Sequence, residues 1–98
     1  MDLIKKLDDL SVRYEEVGHL VVDPDLVKDQ KKYKEIMREN QYLSELMALY
    51  DEYKKILKGI EDDTVMITKE DDVEMKEMAR EELKELEEQK PKMEEQIK

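Results

Sequence analysis

Cysteine is absent from this 98-residue chain, and glycine and proline occur only twice each. Without cysteine there is no disulfide and no thiolate for a metal, and a reducing cytoplasm suits such a sequence. So few glycines leave no glycine-rich phosphate loop, and so few helix breakers leave long stretches free to stay helical. Long apolar runs are missing too. The opening Met1-Asp2-Leu3-Ile4-Lys5-Lys6 lacks the unbroken apolar stretch of a signal peptide, and no later run approaches the roughly 18 residues of a membrane span. Positive charge is in short supply: 18 lysines and arginines face 28 acidic residues, and the net charge of −10 repels nucleic-acid phosphate and anionic lipid alike. These absences point to a soluble, cytoplasmic protein that meets other proteins, with no membrane and no direct nucleic-acid partner.

What the chain does have is 47% charged and 39% hydrophobic residues. The hydrophobic ones recur at helical spacing, where a disordered tail would scatter them. The length fits one all-α domain over residues 1–98 with a single core. Leu3, Leu7, Leu10, Tyr14 and Val17 alternate steps of four and three and form one stripe of a first helix. Gly18 predicts its end, with Leu20-Val21-Val22 as an apolar connector. Asp23-Pro24 predicts a restart, the aspartate capping free amides and the proline filling the first helical position.

A second and longest helix is expected from about Leu26 or Asp29 to about Glu61. Ile36, Leu43, Tyr50 and Leu57 lie seven apart, and Leu46, Tyr53 and Ile60 form a second row, a heptad seam for neighbouring helices. Glu61-Asp62-Asp63 and Thr64-Val65-Met66-Ile67 break the period, and Thr68 to Asp71 has capping-box spacing. A third helix follows, with Ala79, Leu83, Leu86, Met93 and Ile97 on one stripe and Lys90 alone off the pattern. Pro91 predicts a kink or a fresh helical start there. Leu43 and Leu83 are expected in the core. The expected fold is an antiparallel bundle of three long helices, partly coiled-coil.

No catalytic, cofactor-binding or metal-binding residue stands out, and no cofactor is expected. Glu81, Glu82, Glu85, Glu87 and Glu88 crowd what reads as a solvated face, whereas acid-base catalysis needs carboxyls in unlike environments. His19, the single histidine, has no second histidine or cysteine to complete a metal set, and a role at the helix end suits it better. Asp71 and Asp72 lack the glycine and later ligands of a calcium loop. Tyr14, Tyr33, Tyr42, Tyr50 and Tyr53 sit at helical spacing with no basic groove, so packing explains them better than base stacking. The seven methionines read as scattered gap fillers, with a soft binding groove as the alternative.

The order of residues nevertheless resembles a known family. Leu10-Ser11-Val12-Arg13-Tyr14-Glu15-Glu16, followed by Asp23-Pro24-Asp25-Leu26-Val27-Lys28-Asp29-Gln30-Lys31-Lys32-Tyr33, is similar to the opening of bacterial class I peptide chain release factors. Tyr50-Asp51-Glu52-Tyr53-Lys54 and the stretch from Glu74 to Leu83 continue the resemblance in order. Leu26-Val27 stands where factors of the UGA-reading type tend to carry an aromatic pair, which favours the type reading UAA and UAG. The resemblance implies a non-catalytic amino-terminal helical domain for translation termination on the ribosome. It further implies protein contacts near the stalk base and with a partner release-factor GTPase. The family's Gly-Gly-Gln loop and stop-codon tripeptide belong to later domains and do not occur in these 98 residues. A free-standing acidic helical adaptor that binds a partner protein is the alternative.

Overall fold

The computed structural model describes residues 2–97. Among them every regular element is an α-helix: α1 (Leu3–Val21), α2 (Pro24–Val27), α3 (Gln30–Lys69) and α4 (Val73–Ile97). The all-α expectation holds, but there are four helices where the sequence predicted three. The chain forms two compact units, Met1–Ala48 and Leu49–Lys98, and α3 supplies residues to both. Forty residues of helix have a contour of about 60 Å, more than a single small core can cover.

In the first unit Asp2 caps α1 by accepting the Lys5 amide at 3.2 Å. Gly18 does not end this helix. No described residue has a positive φ, and α1 runs on to Val21 because Leu20 and Val21 pack against the buried Val17, Leu26, Ile36 and Leu43. Burying such side chains outweighs the ~0.5–1 kcal/mol that a helix-interior glycine costs. A Cβ added at Gly18 would meet no atom within 4 Å. Gly18→Ala is therefore expected to stabilise the protein by about 0.5–1 kcal/mol, seen as a rise of a few degrees in thermal melting; a fall would contradict a regular helix at this point.

Asp23 caps the next helix as expected, accepting the Asp25 amide at 2.9 Å with Pro24 in the first turn. That helix stops after Val27, however, and its role is to deliver Leu26 into the core. Asp29 then starts α3, accepting the Lys32 amide at 3.1 Å. The fourth helix absent from the sequence reading is thus this short turn between two aspartate caps.

In the second unit α3 continues to Lys69, past the break predicted at Glu61 to Ile67. The threonines there do not compete with the helix. Thr64 Oγ1 donates to the Ile60 carbonyl at 2.7 Å, and Thr68 Oγ1 to the Thr64 and Val65 carbonyls at 3.2 and 3.0 Å. Thr68 therefore forms no capping box with Asp71. Instead Glu70 accepts the Asp71 and Asp72 amides, both at 3.1 Å, and Asp72 caps α4 by accepting the Glu74 amide at 2.9 Å.

Helix α4 passes through Pro91 with no second start. Glu87, whose carbonyl loses its helical donor to the proline, is exposed, so water can satisfy it. Ala79 and Ile97 are buried, while Leu83, expected in the core, is only half-buried alongside Leu86, Lys90 and Met93. Tyr53 Oη donates to Glu94 Oε2 at 2.8 Å, and a Cβ on Gly59 would lie 2.7 Å from Leu86 Cδ1. Residue numbers along α4 fall as those along α3 rise, and at Gly59 the absence of a side chain leaves room for Leu86. Burial, and then the bond to Glu94, push the Tyr53 phenol up to about 12.

Candidate partner-binding surface

Arg13 joins α1 to α3 in the first unit. Its Nε and Nη2 donate to the two carboxylate oxygens of Glu39 at 2.8 and 2.7 Å, and Nη1 donates to Glu16 at 3.2 Å. This planar fork on a carboxylate is the strongest arrangement such a pair can take. The bonds to Arg13 hold the Glu39 carboxyl below its ordinary pKa, and the bonds to Glu39 and Glu16 hold the guanidinium above its own. With both partners satisfied, the group is a brace and offers little to a ligand.

The second unit carries a different feature. Asp63 and Met66 of α3, with Met75, Met78, Ala79 and Glu82 of α4, line a cavity of about 200 Å³. Met78 is 70% exposed, Val73 75%, and Val65 and Met75 nearly half. Gap filling therefore does not account for these methionines. Asp63 Oδ2 is shielded from solvent and has no hydrogen-bond partner. Hydrogen bonding to Asp63, then its charge, slight burial and nearby Glu85, hold the Glu82 carboxyl above its ordinary pKa. Two ionised carboxylates cannot hydrogen-bond to each other, so this oxygen lacks a donor unless the pair keeps a proton or a cation arrives.

Two shallower hollows lie on α3 alone. One surrounds Tyr42, which at 61% exposure departs from the packing role expected of the tyrosines. The other runs from Asp51 to Asp62, where Lys58 and Lys54 already pair with Asp62 and Asp51 at 3.1 and 3.6 Å.

The remaining candidates fall out as follows. All five glutamates, Glu81, Glu82, Glu85, Glu87 and Glu88, are exposed, and Glu82 is the one that lines the cavity, because helix pairing brings Asp63 beside it. His19 lies exposed in the last turn of α1. Asp72 is the α4 cap, and Asp71 lies in the link before it. Among the described residues no group of three or more histidines, cysteines or acids could hold a metal ion. No helix among them is long and apolar enough to cross a membrane. Sequence reasoning missed the Arg13–Glu39 fork and the Asp63–Glu82 pair, whose members lie 26 and 19 positions apart with no local signal.

Residues 10–98 match the PCRF domain family. Among curated proteins the chain is similar to the Peptide chain release factor 1 of Treponema denticola, 54% identical over 83 residues, which covers 85% of this chain and 23% of the relative. It is also similar to the proteins of that name from Parabacteroides distasonis (43% identical, covering 98% of this chain and 26% of the relative) and Lactococcus lactis subsp. cremoris (42%, covering 98% and 27%). The chain spans about a quarter of the length of these relatives. No solved structure matches it.

Proposed function

Since the chain belongs to the PCRF domain family, we propose that it is the amino-terminal helical domain of a bacterial peptide chain release factor and serves translation termination. The observation that carries this is the match over residues 10–98 together with relatives that share one name, Peptide chain release factor 1. In this reading residues 1–98 act without catalysis in the cytoplasm, and their factor is of the type reading UAA and UAG. The domain makes protein contacts near the ribosomal stalk base and with the partner GTPase. The acidic balance of 28 against 18 supports protein over RNA as the thing touched. The long helices pack antiparallel with a coiled-coil seam. That is supported by the seven-residue spacing of Ile36, Leu43 and Tyr50 and by the opposite run of numbers in the Tyr53–Glu94 and Gly59–Leu86 approaches.

The test is an exchange. The segment of the Lactococcus lactis relative that this chain matches is replaced by residues 1–98, and the chimera is compared in a reconstituted termination assay with the intact relative and with the relative lacking that segment. The chimera is expected to regain the turnover stimulated by the partner GTPase that the shortened factor loses. A chimera no better than the shortened factor would sink the assignment.

A further inference from the structure

The methionine-lined cavity of the second unit does something that packing alone does not require. Met66, Met75, Met78 and Ala79 give it an apolar lining, Met75 and Met78 remain in contact with water, and Asp63 contributes an oxygen that no neighbouring side chain donates to. We propose that this cavity is a docking site for an amphipathic helix of a partner protein, which seats an apolar side chain among the methionines and a lysine or arginine against Asp63 and Glu82.

Charge complementarity selects this occupant. From Glu61 to Glu85 there are eleven acidic and four basic residues. Of the basic four, Arg80 is turned to Glu77 at 3.6 Å. Such a rim attracts a cationic partner and repels phosphate and anionic lipid. Methionine side chains adapt to varied apolar shapes, which suits a groove that receives the apolar face of a helix. A cation supplies the donor that Asp63 Oδ2 lacks, so the pair of carboxyls favours a helix with a basic residue beside its apolar anchor over one that is merely apolar. The inference rests on the reading of the chain as a protein-contacting domain and places that contact on named residues.

The probe is a fluorescein-labelled synthetic helix of leucine and lysine, titrated against the 98-residue chain by fluorescence anisotropy beside a matched leucine and glutamate peptide. The lysine peptide is expected to bind and the glutamate peptide not. Met78→Ser changes a side chain that is mostly in water, and Asp63→Asn keeps the shape, so both variants should melt as the parent does. Each is expected to weaken binding on the order of tenfold, the loss typical of an interface anchor, and Asp63→Asn should also flatten the salt dependence. Tyr42→Ser, in the other unit, should leave binding unchanged. Equal binding of the two peptides, parent-like binding by both cavity variants, or loss of binding in Tyr42→Ser would each overturn the proposal. A failed titration leaves the chimera's termination result standing, and a failed chimera leaves the titration standing, so the two readings fail separately.

Discussion

Leu43→Asp is expected to unfold the Met1–Ala48 unit. Leu43 is 2% exposed and belongs to one buried cluster with Val17, Leu26 and Ile36, against which Leu10, Tyr14, Leu20, Val21 and Tyr33 also pack. Shortening a buried leucine costs about 2–5 kcal/mol through lost transfer energy and the space left behind. A carboxylate placed among these apolar side chains adds a desolvation cost on top. Against a total stability of roughly 5–15 kcal/mol, the sum removes most or all of the folded population. The neighbouring Tyr42→Asp provides the control, because Tyr42 is 61% exposed and points the same chemistry into water. Circular dichroism should show Leu43→Asp with collapsed helicity and Tyr42→Asp close to the parent. Similar melting of the two variants would place Leu43 outside the core.

The second large effect is on chemistry. Added alone to ribosomes halted at a stop or a sense codon, the 98-residue chain is expected to release peptide only at the uncatalysed rate. Hydrolysis of the ester needs a positioned water and groups that stabilise the developing charge. The two glycines, Gly18 and Gly59, are far apart, so no Gly-Gly-Gln stands in these residues. Asp63 and Glu82, a close pair of carboxyls, line a cavity whose other lining residues are Met66, Met75, Met78 and Ala79, none of them a nucleophile for the ester. Release above background by the chain alone, read as liberated formylmethionine, would mean that it carries catalytic groups of its own.

Much of the fold was legible because it rests on periodicity. The stripe Leu7, Val17 and the seam Ile36, Leu43, Tyr50, Leu46, Tyr53 are buried as their spacing foretold. Ile56 is buried without belonging to either heptad row, since a straight helix drifts against a strict seven-residue repeat. Local punctuation misled where tertiary contacts or solvent overrode it. Gly18 suggests an end, Thr64 a break in the period and Pro91 a kink or a fresh start, yet Leu20 and Val21 burial, threonine bonding to its own helix, and the exposure of Glu87 let the helices continue. The candidate surface was the least legible part. Nothing in the order of residues tells that Asp63 will face Glu82, because that depends on how α4 returns along α3. The methionines showed only as a composition, and their grouping around Ala79 needed the fold.

The central claim, a domain that makes protein contacts without sharing in the chemistry, is tested most directly by removing it. A full-length relative and the same factor without the matched segment are compared for peptide release at a stop codon in a single round and over many rounds with the partner GTPase present. Single-round release is expected to survive the deletion largely intact, and the GTPase-dependent gain over many rounds to be lost. Abolition of single-round release in a correctly folded deletion variant, or an undiminished GTPase-dependent gain, would contradict it.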